Sequence, residues 1–509
     1  MHSTDPSSPA ASQIDSGNPS PDKSVKEGTP APWKVKSILV AVASYGEKNR
    51  HHLERVLDAY RAMPWNIKLV LLSEAPKDLG PDVEVRVGLP DEDNSWSLPF
   101  AHKAVLAEGV DDYDLFIYTE DDLYPTERHI QAFLELGPCL EPDEIAGYLR
   151  YEIDESGQWF VHEPWKHFHW KPGSVRQRGP HTVAEFTNEH AGFYILTPDQ
   201  LRRAIASGNY LCEPYRDRYD WPETAATDPY TVCGFRKVVS TSNVQDFLLH
   251  HMPNPYLDRL EVTLEDFRQQ IETLHLIRDR QHPAHTMFAV ESAKFPRAWQ
   301  KSYYEMPGPE LLDTIPNASE AKRVLSMGCG WGELETQLQA RGQDVTAIPL
   351  DSVIGAQAAK RGIRVVQGDW ESVDQQLAGE TFDAVVLTDL LHLQENPADL
   401  IQRCAGFLKE GGQLILGGPN FNRGTRLLKR ILNLENYARL RSFEDSGITP
   451  CSPRTLRPAL EQAGLQPLQV TWTNHGFSKK WLKHSRAQLG VITARHWILL
   501  AERRTPQTA

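Results

Sequence analysis

Two consecutive α/β units, each an open sheet with helices on its faces, are predicted by three features of the sequence. Short β-branched runs alternate with amphipathic stretches from Ser37 onward, a second alternating series opens at KRVLSMG, and a stretch of helical period lies between them. In the first unit SILVAVAS reads as a buried strand, YGEKNR as a polar turn, HHLERVLDAYRAM as a helix and NIKLVLLSE as the next strand. FAHKAVLAEG follows as a helix, DLFIYT as a buried strand ending in acids, and IAGYLRYE and AGFYIL as further strands. TPDQLRRAIAS carries a helix start, Thr197 with Pro198 behind it. The division expected is a tail over residues 1–32, a first unit over 33–257, a helical connector over 258–318 and a second unit over 319–509.

Composition narrows the function classes. At 509 residues the chain exceeds one ordinary core. Its formal net charge of -14 argues against non-specific nucleic-acid binding. Six scattered cysteines without a C-x-x-C pair give no zinc site and suit a reducing, cytoplasmic setting. No apolar run is long enough for a membrane span, which leaves peripheral association as the one expected contact with a bilayer. The first 32 residues are rich in Ser and Pro, lack the apolar stretch of a secretion signal and are expected to be disordered.

In the second unit KRVLSMGCGWGELETQLQARG reads as strand, glycine turn and helix, with Gly328, Gly330 and Gly332 leaving room for a ligand near the helix start. DVTAIPLD, IRVVQGDW, FDAVVLTDLLHL and LKEGGQLILGGPN supply further strands whose polar residues gather at the carboxyl ends, where open sheets bind ligands. This series resembles class I S-adenosylmethionine methyltransferases over about residues 305–503. The resemblance implies a Rossmann-like fold and S-adenosylmethionine as cofactor. It places Gly328, Gly330 and Gly332 by the methionine part, Asp351 by the ribose, Asp369 and Trp370 by the adenine, and Asp389 at the cofactor–substrate boundary. Ser326 and Pro349 stand where that family carries acids. His392 is the candidate general base for an oxygen acceptor.

In the first unit DLFIYTEDDLYPT delivers Glu120, Asp121 and Asp122 to one strand end. Adjacent carboxylates repel unless neutralised, and the pair Glu120 and Asp122 suits a hard cation, Mg²⁺ or Mn²⁺. With VAVASYGEKNRHHLERVLDAY, this segment is similar to glycosyltransferases of the GT-A fold over about residues 35–255. The resemblance implies a nucleotide-sugar donor near Ser44, Tyr45 and Glu47, a metal on Glu120 and Asp122, and a late histidine ligand, His251 ahead of His250. Glu223 is the favoured catalytic base, Asp228 the runner-up and Glu189 a third candidate. Trp165, His167, His169 and Trp170 offer aromatic faces for sugar rings, and Lys171, Arg176 and Arg178 offer charge for a phosphate.

The combined expectation is a bifunctional enzyme of glycan assembly. It would transfer a sugar from a nucleotide-sugar to a glycan or glycolipid acceptor and methylate a hydroxyl. The alternatives are a methyltransferase whose first unit only recognises substrate, and a non-catalytic glycan-binding protein with decayed sites.

Overall fold

A computed structural model of the chain describes residues 30–161, 167–257, 262–292, 299–304, 306–432, 443–473 and 492–504. The expected tail lies almost wholly outside these residues, and so does Trp165.

The first unit opens with β1 (Ser37–Ala43), α1 (Arg50–Arg61), β2 (Asn66–Ser73), β3 (Val83–Val87), α2 (Ala101–Glu108) and β4 (Leu115–Glu120). Six of the seven β1 residues are buried, as an interior parallel strand covered on both faces requires. Helix α1 turns Leu53, Val56, Leu57 and Tyr60 inward, a stripe at helical spacing. After β5 (Leu123–Tyr124) and α3 (Glu127–Leu136) come β6 (Glu144–Ala146), β7 (Leu149–Ile153), β8 (Trp159–Val161), β9 (Arg176–Arg178), β10 (His181–Ala184) and β11 (Phe193–Leu196). Then follow α4 (Pro198–Ala206), α5 (Trp221–Thr231), β12 (Arg236–Ser240), β13 (Leu248–His251) and α6 (Leu264–Arg278). The main sheet runs β11-β4-β1-β2-β3, with β11 antiparallel to β4 and the other pairs parallel. Two four-stranded sheets accompany it, β6-β12-β10-β9 and β5-β13-β7-β8.

The stretch IAGYLRYE, expected as one strand, is divided between those two smaller sheets as β6 and β7. The break falls at Gly147, where a Cβ would meet the Lys237 side chain at 2.2 Å, so the chain passes too close to β12 for any side chain.

The second unit contains α7 (Pro309–Thr314), β14 (Arg323–Cys329), α8 (Glu333–Ala340), β15 (Asp344–Pro349), α9 (Ser352–Lys360), β16 (Arg364–Val365), α10 (Trp370–Gln376), β17 (Phe382–Thr388), α11 (Pro397–Gly406), β18 (Leu408–Pro419), β19 (Leu465–Thr473) and β20 (His496–Arg503). Its seven strands run β16-β15-β14-β17-β18-β20-β19, all parallel except β20, which is antiparallel to both neighbours. Order reverses about β14, which puts the topological switch point at the glycine turn. Helix α7 falls in the stretch expected as connector, where no helix was read. Leu311 and Leu312 on it pack on the sheet with Val324, Val386 and Ile498, and so it belongs to the second unit.

The two units are not separated by a free linker. Phe267 and Leu274 of α6 lie in the same apolar cluster as Ile38 of the first sheet and Leu350 and Ile354 of the second. Gln357 of α9 donates to the Asp266 carbonyl at 3.0 Å, and the rings of His169 and Tyr303 stack with centroids 4.0 Å apart. Phe267 is fully buried against Trp170 and Phe186. Phe267→Ala is therefore expected to cost about 3–5 kcal/mol. Chemical denaturation should show this, with probes placed in either unit reporting one shared transition.

Candidate functional site

The carboxyl edge of the second sheet holds a cavity of about 190 Å³, bordered by Gly328, Gly330 and Gly332, by Lys301 and Tyr303, by Thr388 and Asp389, and by Gly417, Gly418 and His496. The glycines have structural causes. Gly328 and Gly332 adopt φ of 80° and 100°, and a Cβ on Gly330 would run into the Tyr303 carbonyl at 2.1 Å. That same carbonyl accepts the amide proton of Trp331 at 3.0 Å. Ser326 takes the place of the expected acid, and its hydroxyl donates to Glu335 of α8 at 2.5 Å. A buried carboxylate thus reaches the cavity from the helix instead of the strand.

The neighbouring edge, expected to hold the ribose and adenine, is covered by the connector. The Met287 amide donates to the Leu350 carbonyl at 2.9 Å, the Ser352 amide to the His285 carbonyl at 3.1 Å, and the Gly368 amide to His285 Nε2 at 3.0 Å. Asp351 does not face the cavity. Its Oδ1 caps α9 through the amides of Val353 and Ile354, and the residue is buried beneath Thr286 and Tyr303. Asp369 caps α10, accepting from Ser372 at 2.9 Å. The Trp370 ring is met edge-on by Phe288 and overlain by Arg403. None of these three residues borders the cavity.

At the opposite side, β17 is followed at once by Asp389, a non-glycine residue at φ 55°. Its amide donates to the Gly417 carbonyl at 2.9 Å, and its Oδ1 lies 3.7 Å from His496 Nδ1. Burial works against charge on this carboxyl, yet the His496 imidazole and the Lys301 ammonium hold it well below the usual carboxylate range. Lys301 also donates to the carbonyl and hydroxyl of Thr388, at 2.9 and 3.2 Å. His392, the expected base, is buried off the cavity with Nε2 on the Trp299 carbonyl at 2.5 Å, and burial pushes its imidazole down to about 4. It is a core histidine.

In the first unit Glu120, Asp121 and Asp122 do converge at the end of β4. Asn49 donates to Asp121 and Asp122 at 2.9 and 3.3 Å. Burial and Asp122 push Glu120 up, with Glu223 near enough to add to the effect. His251 Nε2 lies 3.5 Å from Asp122, and its Nδ1 meets Glu152 at 2.8 Å. Burial opposes charge on His251, but Asp122 and Glu152 raise it to about 9. Asp122 Oδ1 is buried without a hydrogen-bond partner, and among the described residues no group of three or more His, Cys, Asp or Glu is placed to hold a metal ion. The expected divalent site therefore does not fit, and no chemistry is routed through it.

The other candidates divide. Glu223 sits in the first turn of α5 beside Pro222. Asp228 is wholly buried, ion-paired with Lys103 and bonded by the Tyr215 hydroxyl at 2.7 Å, which removes it as a base. Glu189 accepts from the Tyr219 hydroxyl at 2.5 Å. Ser44 is buried and accepts from Lys77 at 3.0 Å, whereas Tyr45 is exposed and Glu47 pairs loosely with Arg50. His167, His169 and Trp170 are buried anchors rather than an open wall. Lys171 pairs with Glu185, and Arg176 and Arg178 close on the buried Glu144.

Residues 297–470 match the sequence profile of a family described as a methyltransferase domain. The second unit is a class I S-adenosylmethionine-dependent methyltransferase domain. The chain is 36% identical over 127 residues to a ubiquinone biosynthesis O-methyltransferase of Dechloromonas aromatica, covering 22% of this chain and 52% of that protein. It is 33% identical over 156 residues to the Bordetella pertussis protein of the same name, covering 29% and 63%. The chain thus spans about half the length of the relatives it matches. A SAM-dependent methyltransferase structure from Archaeoglobus fulgidus aligns at 15% identity and a TM-score of 0.29, over 38% of this chain and 91% of that one.

Sequence reasoning missed Lys301, Glu335 and His496 in the methyltransferase domain. Lys301 lies outside any glycine motif, Glu335 stands on the helix after the turn, and His496 opens a strand legible only as apolar. Buried His392 also has a consequence for stability. The unfolded chain takes up a proton near 6.5, but the folded one not until about 4. The unfolded state therefore binds more protons between these values, and stability is lost as pH falls through them. Urea titrations between pH 7 and 4 should show that slope, and His392→Gln should flatten it.

Proposed function

We propose that the methyltransferase domain transfers a methyl group from S-adenosylmethionine to an oxygen acceptor, and that the first unit recognises the molecule carrying it. The observation behind this reading is the cavity between the glycine turn and the Asp389–His496 pair, most of whose lining lies within the stretch that matches the methyltransferase profile, His496 standing beyond it. Oxygen as the acceptor follows the printed names of the relatives. The residues that would hold the amino-acid end of the cofactor are those of the glycine turn, which borders the cavity beside the Tyr303 carbonyl, and Lys301, whose ammonium, now on Thr388, would meet the carboxylate. When bound, the cofactor supplies a methyl group on a positively charged sulfur. The nucleoside end meets the segment His282–Phe288, which has to shift for the whole molecule to enter.

Two measurements test this. Calorimetry with S-adenosylhomocysteine should show saturable binding, weakened about tenfold or more in Lys301→Ala, the worth of one charge-assisted hydrogen bond. Amide exchange over residues 282–288 should rise on binding. Absence of binding to the intact chain overturns the reading.

A second reading, sugar transfer from a nucleotide-sugar to a glycan or glycolipid hydroxyl, is favoured by one observation, the gathering of Glu120, Asp122 and Glu223 at the end of β4. It requires a thermal shift by a nucleotide-sugar, assayed with and without Mn²⁺, that vanishes in the Glu120→Ala/Asp122→Ala variant. If no such shift occurs, the first unit is left as the recogniser.

A further inference from the structure

The geometry points to His496 as the group that takes the acceptor's hydroxyl proton, with Asp389 as its positioning residue. This rests on the methyl-transfer reading above and deepens it. Among the described residues His496 is the one imidazole bordering the cavity, and its side chain is 31% exposed there. It is fixed by backbone pairing on both sides, to Pro419 of β18 and to Thr473 of β19. The floor beside it is bare backbone: a Cβ on Gly417 would meet Thr388 at 3.0 Å, and one on Gly418 would meet Trp497 at 3.0 Å. The two glycines are thus required by the close packing of Thr388 and Trp497 at the cavity's border.

Asp389 supplies what an imidazole base needs behind it. An ionised carboxylate facing Nδ1 keeps the proton on that nitrogen, leaves Nε2 as the acceptor, and stabilises the imidazolium that forms. The 3.7 Å separation of Nδ1 and Oδ1 is long for a hydrogen bond, as unliganded acid–base pairs often are. The charged and titratable groups around the pair are Lys301 from the segment Trp299–Tyr304 and His392 from the turn after β17, with Arg426 behind His392. His392 is held neutral by burial and Arg426 stands beside His392, so the cation facing Asp389 is Lys301. In the step itself the acceptor's O–H bond breaks as its oxygen bonds to the methyl carbon. The proton passes to His496 Nε2, and the electron pair of the carbon–sulfur bond leaves with the donor's sulfur.

Nitrogen-15 spectra of the histidine side chains decide this without turnover. Neutral His496 should carry its proton on Nδ1, and Asp389→Asn should exchange that tautomer. With catechol as the probe acceptor, His496→Gln should lower kcat by about 10²–10⁴-fold and remove the acid limb of the kcat–pH profile, while S-adenosylhomocysteine binds within twofold of the parent. A proton on Nε2 in the parent, or spectra indifferent to Asp389→Asn, overturns the assignment. So does unchanged kcat in His496→Gln. Failure of the parent to bind S-adenosylhomocysteine overturns the methyl-transfer reading instead, and the two failures are told apart by that measurement. Should catechol not be turned over, the spectra alone decide.

Discussion

The carbonyl of Tyr303 accepts the amide proton of Trp331, and on that hydrogen bond the connector is laid against the glycine turn. A backbone amide at this depth needs a partner, because an unpaired one costs about 1–3 kcal/mol. Gly330 exists to permit the approach, since any side chain there would collide with the same carbonyl. The Tyr303 ring then stacks on His169 of the first unit, so the contact that seats the connector also ties the two sheets together. The segment before it, from His282 to Phe288, follows the same path across the ends of β15 and β16. What reads as a linker in one dimension is a layer of the methyltransferase domain in three.

The two acidic centres of the molecule illustrate opposite uses of burial. At the end of β4 three carboxylates crowd together, and Asn49, His251 and Glu152 answer them only in part, leaving Asp122 Oδ1 buried without a partner. At the end of β17 a single carboxylate faces a cavity, with an imidazole and an ammonium on its open side. That arrangement leaves groups able to change protonation where a ligand can reach them.

Much of the fold was legible from periodicity. The interior strands β1, β4, β14 and β17 are nearly continuous apolar runs, and α1 and α4 announce themselves by spacing or by the Thr197–Pro198 start. The glycine turn and Asp389, singled out in the sequence, border one cavity. Other assignments failed for a common reason: spacing along the chain does not say what covers a residue. Asp351 has the right type two positions late, but helix α9 takes its carboxylate as a cap. Asp228 lies on the inner face of α5, where only the pairing with Lys103 makes a buried acid tolerable. His392 precedes a run that folds back over Trp299. Glu335 escaped notice because a motif fixed to one column cannot see an acid arriving from the next helix.

The backbone at Asp389 adds a restriction of its own. At φ 55° a residue with a Cβ is strained unless its side chain is short and polar, so glycine, asparagine and aspartate are the comfortable occupants. Shape therefore narrows the position to a small alphabet before any requirement for charge applies. In a family-wide comparison, an invariant aspartate there would not by itself report on chemistry; a scatter of aspartate and asparagine would separate the demand of the turn from the demand of the reaction.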